Sequence, residues 1–251
     1  MATTNLKKVL TVVQGLVNRD SDLAATYLHP QKYTEHNPQV ADGIDGFRAH
    51  IQQLSHPDHL DVVRTFEDGP YVVIQEDGYL AGQGTFFEVF RFEDGLIVEH
   101  WLFSAPAAPP NQSGHTQTDG PVEARHLQDT ERNKAFLGDY YQRFHIGGDH
   151  SGYERYFQGD ICIRHEPGVR DGVAQFMTDV KGLMQHRSID EVKLLLGQGD
   201  FVFIAATGTH EGAPCLYIDL YRVEEEKIVE HWGFPQAVPP PAQWQNTNGP
   251  L

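Results

Sequence analysis

Phe86-Phe87-Glu88-Val89-Phe90-Arg91-Phe92-Glu93-Asp94-Gly95-Leu96-Ile97-Val98-Glu99-His100-Trp101-Leu102-Phe103 decides the fold, because the chain writes it again as Tyr217-Ile218-Asp219-Leu220-Tyr221-Arg222-Val223-Glu224-Glu225-Glu226-Lys227-Ile228-Val229-Glu230-His231-Trp232-Gly233-Phe234. Aromatic and β-branched residues fill both arms of each copy, and Asp94-Gly95 supplies the positive-φ pair of a tight turn, so each copy reads as a β-hairpin. Glu225-Glu226 stands at the second turn and predicts a looser connection. With Asp94-Gly95 as the turn residues, Phe92 faces Ile97, Arg91 faces Val98, Val89 faces His100 and Phe87 faces Leu102. Alternation along a strand then sets His100 on one face with Phe87, Val89, Val98 and Leu102, and Trp101 on the other with Glu88, Phe90 and Glu99. The second copy sets His231 with Ile218, Leu220, Val229 and Gly233, and turns Trp232 the opposite way.

The repeat reaches far beyond the hairpin. At constant spacing, Tyr27 to Pro38 is answered by Tyr156 to Pro167, Asp42-Gly43 by Asp171-Gly172, and Phe47 by Phe176. Even Thr118-Asp119-Gly120-Pro121 returns as Thr247-Asn248-Gly249-Pro250. A chain of 251 residues built this way reads as two domains of about 100 to 150 residues each. The expected boundaries are 1–122, ending in a Pro-rich arm, and 123–251, ending in a Pro-rich tail.

Leu6, Val9, Leu10, Val13, Leu16 and Val17 recur at helical spacing behind Thr3 and Thr4 and predict an opening amphipathic helix. A short helix from Leu23 to Leu28 follows, broken by Pro30, then a short strand over Lys32 to Asn37 stopped by Pro38. A helix bearing Phe47, Ile51 and Leu54 comes next, then strands near Leu60 to Phe66 and Tyr71 to Gln75, and the hairpin. This order predicts an α+β fold with an antiparallel sheet of three or four strands. Ala105 to Pro121 reads as an extended arm or linker, and Thr130 to Phe144 restarts the helical pattern.

The formal charge of −16 repels nucleic acid and anionic membrane, and no basic cluster offsets it. No apolar run approaches the roughly 20 residues of a membrane span. The N-terminal stretch lacks the apolar core of a signal peptide, so the cytoplasm is the expected location. Cys162 and Cys215 have neither zinc-site nor redox-motif spacing and read as reduced thiols in or near the core. A metal site from Glu35, His36 and His100 can be drawn, but no motif of ligand spacing supports it, so no metal or other cofactor is expected.

His36-Asn37-Pro38, Asp42-Gly43 before a helix, Phe90-Arg91-Phe92-Glu93-Asp94-Gly95 and Ile97-Val98-Glu99-His100-Trp101 resemble the SnoaL-like branch of the nuclear transport factor 2-like superfamily. The second half resembles it through Asp219-Leu220-Tyr221-Arg222-Val223 and Ile228-Val229-Glu230-His231-Trp232. The resemblance implies two tandem cones, each a curved antiparallel sheet wrapped around helices with a ligand pocket inside. It also implies pairing through outer sheet faces, which would make the chain an internal pseudo-dimer with Trp101, Trp232, Phe90 and Tyr221 buried between the halves. A further homodimer stays open. Relatives include polyketide cyclases, ketosteroid isomerases, dehydratases, epoxide hydrolases and non-catalytic binders. Catalytic relatives carry chemistry immediately before the Pro that ends the first strand, here Asn37 and Glu166, and directly after His-Trp. The cyclases keep an Asp at the latter position; this chain has Leu102 and Gly233.

Glu166 is the expected general base, its pKa raised by an apolar cone, unless Arg164 pairs with it and lowers the pKa instead. Asn37 can orient a carbonyl or enolate, with Glu35 on the same strand face as a replacement carboxylate. His100 and His231 face inward and can exchange a proton near neutral pH. The expected substrate-binding set is His36, Tyr27, Tyr33, Phe87, Leu102, Arg164, His165 and Tyr156. Of these, His36 and His165 point outward unless a bulge turns them in. The expected function is a cofactor-independent acid–base enzyme acting on a small hydrophobic carbonyl or polyketide-like molecule by enolisation, with cyclisation, isomerisation or elimination. The alternatives are a non-catalytic binding protein, or one catalytic and one structural half.

Overall fold

Thr4 accepts a hydrogen bond from the Lys7 amide and starts helix α1 (Asn5–Asn18), whose Val9, Val12, Val13 and Leu16 form one buried stripe. Asp20 caps α2 (Ser21–Ala24) through the Leu23 amide. Strand β1 (Thr34–Glu35), helix α3 (Gly43–Gln53) and strands β2 (Leu60–Asp68), β3 (Tyr71–Tyr79), β4 (Gln83–Glu93) and β5 (Leu96–Pro106) follow. These details come from a computed structural model, which describes residues 4–54, 59–80, 82–183 and 185–251.

The strands form one sheet in the order β1-β5-β4-β3-β2, with β1 parallel to β5 and the other pairs antiparallel. That is one more strand than the upper expectation, because β1 joins the edge of β5. The Asp42 carboxylate braces β1 by accepting from the Glu35 amide at 3.0 Å. One sheet face packs Val72, Ile74, Phe86, Phe90 and Phe92 against the helices.

The chain continues through α4 (Thr130–Tyr140), a π-type turn over Tyr141–Ile146, β6 (Ile163–Arg164), α5 (Val173–Leu183), β7 (Arg187–Gln198), β8 (Phe201–His210), β9 (Ala213–Glu224) and β10 (Lys227–Ala237). The second sheet repeats the first as β6-β10-β9-β8-β7. Its core is more aromatic, with Tyr140, Tyr141, Phe144, Phe157, Phe176 and Tyr221 in one cluster. Each unit is an α+β cone. Cys162 and Cys215 are free and buried. Among the described residues no helix is long and apolar enough to cross a membrane.

The units are Met1–Ala107 with Pro239–Leu251, and Ala108–Val238. The expected cut at 122/123 thus falls inside the second unit, and the final tail belongs with the first. Asparagines explain both placements. Asn246 Nδ2 donates to the Asn37 and Val40 carbonyls at 2.8 and 2.9 Å, and Asn248 Nδ2 to the Glu35 carbonyl at 2.9 Å. In the second unit Asn111 Nδ2 donates to the Arg164 carbonyl at 2.6 Å.

Two hairpin expectations are overturned. Phe92 pairs with Ile97 but Arg91 pairs with Glu99, so Val98 is an extra, bulged residue; Val229 repeats this in the second hairpin. Beyond the bulge each pairing moves by one, so His100 faces Phe90 and Trp101 faces Val89. Phe90 and Tyr221 therefore lie inside the cones, stacked on His100 and His231 at 4.6 and 4.4 Å between ring centroids. The second correction is at the turn. Glu225 and Glu226 have φ of 48° and 57°, the same left-handed pair as Asp94 at 50° and Gly95 at 79°, so both turns are tight.

Candidate active site

Glu35 and His100 are Cα partners across β1 and β5, and their side chains meet inside the first cone. His100 Nδ1 lies 3.0 Å from Glu35 Oε2, and Nε2 lies 2.8 Å from Glu88 Oε2. The Tyr33 hydroxyl donates to Glu35 Oε2 at 2.6 Å, and the Asn37 amide to Glu35 Oε1 at 2.8 Å. Burial favours a neutral imidazole, but the Glu35 and Glu88 carboxylates outweigh it and raise the His100 pKa to about 10. Burial likewise works against ionised Glu35, yet the imidazolium and the surrounding donors hold its pKa below the ordinary carboxylate value. His100 and Glu35 form a buried ion pair at neutral pH.

Glu76 extends this array. Burial, and then the charge of Glu88, push its pKa well above the ordinary range, so it stays a neutral acid. Among the described residues, neither Glu76 oxygen nor Glu88 Oε1 finds an ordinary hydrogen-bond donor. A protonated Glu76 can donate to the neighbouring Glu88 carboxylate. The resulting chain runs Tyr33, Glu35, His100, Glu88, Glu76. A cavity of about 20 Å³ touches it, lined by Glu35, Asn37, Glu88, His100 and Leu102 with apolar neighbours including Phe47. A wider hollow of about 600 Å³, around Gln185, Arg187, Ser188, Thr209 and Glu211, brings no comparable acid–base array together.

The second cone has a related array. His231 Nδ1 is 3.1 Å from Glu166 Oε1, and Nε2 is 2.6 Å from Asp219 Oδ1. Tyr141 donates to Asp219. Opposing the effect of burial, Glu166 and Asp219 raise the His231 pKa to about 9. Arg164 Nη2 donates to Glu166 Oε1 at 2.8 Å, and its guanidinium also pairs with Asp179. Against burial, His231 and Arg164 together bring Glu166 down to about 2. The salt-bridge alternative therefore holds, and the expected rise in the Glu166 pKa does not occur.

Of the expected binding residues, Tyr33 and Leu102 belong to the first array and Arg164 to the second. Phe87 does not face the first cavity: it pairs with Phe103 on the sheet face of Val89 and Trp101, because the bulge shifts the register. His36 and His165 stay outside, stacked on Trp101 and Trp232 at 4.5 Å in each case, since no bulge intervenes in β1 or β6. Tyr27 sits beside Lys8, near the Asp94-Gly95 turn. The Tyr156 hydroxyl is committed to Asp139 at 2.9 Å. Sequence reasoning missed Glu88, Glu76 and Asp219. A carboxylate at the same place in two otherwise apolar hairpin strands was the available signal for Glu88 and Asp219.

Residues 9–100 match the sequence profile of the SnoaL-like domain. The first unit is a SnoaL-like domain. The second unit carries the same sheet order and hairpin, so the chain holds the cone twice. No curated protein matches the chain. Among solved structures, an NTF2-like protein of unknown function from Cytophaga hutchinsonii is 17% identical, with 42% of this chain and 94% of that chain covered and a TM-score of 0.38. A candidate ketosteroid isomerase from Kribbella flavida is 20% identical, covering 48% of this chain and 91% of its own, with a TM-score of 0.37. IdmH, a candidate polyketide cyclase from Streptomyces antibioticus, is 16% identical over 41% of this chain and 91% of its own, with a TM-score of 0.34.

Proposed function

We propose that the SnoaL-like first unit is a cofactor-independent acid–base catalyst. Its substrate is a small, largely apolar carbonyl compound, which it enolises before isomerisation, cyclisation or elimination. The observation that carries this reading is the buried chain Glu35, His100, Glu88, Glu76, whose first three members line a cavity together with Asn37. Glu88 takes the proton from the carbon next to the carbonyl, and the electron pair moves into the enolate oxygen. The Asn37 side-chain Nδ2 donates to that oxygen. Glu76 is the neutral partner that shares the proton, and the His100 imidazolium stabilises negative charge on either neighbour. Returning the proton to another carbon completes an isomerisation with no other reactant.

Non-catalytic binding is the second reading, favoured by the apolar residues Leu16, Val40, Phe47 and Leu80 that line the same cavity. About 20 Å³ holds one water, so a ligand must first part the apolar residues around it.

Deuterium wash-in at the α-carbons of a panel of cyclic ketones and β-diketones, followed by NMR, tests the proposal. Glu88→Gln should slow exchange by about 10²- to 10⁴-fold, while Glu166→Gln leaves it unchanged. Exchange that survives Glu88→Gln removes the mechanism, and ligand-induced shifts without exchange establish the binding reading.

A further inference from the structure

We propose that the second unit binds a divalent first-row transition metal ion outside its cone, at His115, Asp119 and His165, pinning the arm to the sheet. One ligand atom from each of the three lies within 4.8 Å of the others. Two imidazoles and a carboxylate form a donor set suited to zinc and its neighbours, and poorly suited to magnesium or calcium.

The hydrogen bonds around the two histidines favour coordination through the same atom of each. His115 Nε2 lies 3.1 Å from Asp171 Oδ2, and His165 Nε2 lies 2.9 Å from Glu230 Oε1. Glu230 is itself fixed by Arg222 Nε at 2.7 Å. A carboxylate on one ring nitrogen sets the tautomer and leaves the other nitrogen basic, the usual support behind a metal-bound histidine. Both Nδ1 atoms then turn toward Asp119: His165 Nδ1 is 2.7 Å from its Oδ1, and His115 Nδ1 is 3.5 Å from its Oδ2. The Thr116 carbonyl, 3.0 Å from His165 Nδ1, offers a fourth donor. Donors around a tetrahedral zinc ion sit about 3.3 Å apart, between the 2.7 and 3.5 Å that separate Asp119 from the two Nδ1 atoms.

The repeat supplies an internal contrast. His36 and Asp42 answer His165 and Asp171, but Asn248 stands where Asp119 would be. There His36 Nδ1 meets the Gly249 carbonyl at 3.0 Å, and Asn248 Nδ2 donates to Asp42 Oδ1 at 2.9 Å. The first unit fastens its tail with amides, whereas the second places ligands at the corresponding point.

The untagged full-length chain, stripped with chelator and dialysed against zinc, should retain one equivalent by elemental analysis. Its melting temperature should rise by about 5–10 °C when free zinc is a hundredfold above Kd. Cobalt in place of zinc should give the visible bands of a four-coordinate site. His115→Ala and Asp119→Ala change partly exposed arm residues, so the protein stays folded, and each should weaken zinc binding at least tenfold, while His186→Ala should not. Absence of stoichiometric zinc, or zinc retained equally by both variants, overturns the proposal; neither result bears on the acid–base chemistry of the first cone.

Discussion

Glu35 and Arg164 occupy the same place in the two sheets, each the Cα partner of a cone histidine, and they carry opposite charge. Glu35 reaches His100 directly. Arg164 cannot satisfy an imidazolium, so Glu166, two residues on, takes that role, while Asp179 holds the other side of the guanidinium. The repeat places Asn37 opposite Glu166 and His50 opposite Asp179. The second cone thus gains an arginine and closes it into ion pairs, whereas in the first cone Glu35, Glu88 and His100 border a cavity.

His100→Leu should cost about 3–5 kcal/mol at pH 7, because it leaves Glu35 and Glu88 buried without their cation. The His100 pKa is raised to about 10, so its stabilisation is complete below the unfolded value near 6.5 and fades as pH rises through about 10. Urea titrations should show this alkaline decline in the parent and its loss in the variant. An unchanged midpoint at pH 7 would refute the buried pair.

Glu166→Gln should remove an acid-side dependence instead. With the folded pKa near 2, this carboxylate stabilises above about pH 4.5, and the contribution disappears as pH falls toward 2. Expected is a loss of about 1–3 kcal/mol at pH 7 and a flatter acid limb in thermal melts. Equal acid sensitivity of parent and variant would contradict the assignment.

Glu225 and Glu226 both hold left-handed backbone that costs a non-glycine residue about 1–2 kcal/mol. Replacing them with Asn-Gly, the preferred pair for this turn, should raise stability by about 1 kcal/mol without changing the register. A neutral or destabilising result by denaturant titration would show the turn to be set by other contacts.

Much of this structure could be read from the sequence because periodicity and repetition are local. The Thr4-capped helix, the strand before Pro38, the hairpins and the duplication follow from spacing alone. Register did not, because one bulged residue, Val98 or Val229, reverses the facing of a strand relative to its partner, and an apolar strand gives no sign of where it bulges. Strict alternation therefore puts Phe90 and Tyr221 on the outer face and hides Glu88 and Asp219 as partners of the histidines. Glu76 lay one residue beyond the strand expected to end at Gln75. The cluster of His115 and Asp119 with His165 depends on where an irregular arm settles, which no periodicity encodes.

Glu76→Gln separates function from stability most sharply. The acid is fully buried beside Glu88, and its raised pKa means that folding favours its protonated form. Such a group stabilises fully below its unfolded pKa near 4.5, and that contribution is lost as pH rises toward the folded value. The amide is neutral at every pH, so the variant should match the parent near pH 4 and become progressively more stable above it in denaturant titrations. It can still donate to Glu88 but cannot give up or regain a proton. Deuterium exchange on an accepted ketone should therefore fall by about 10²-fold in a protein that is more stable. If stability rises and exchange is unchanged, Glu76 only fills the core and Glu88 acts alone. If stability falls across the whole range, Glu76 is ionised in the native state, and the shared-proton pair is wrong.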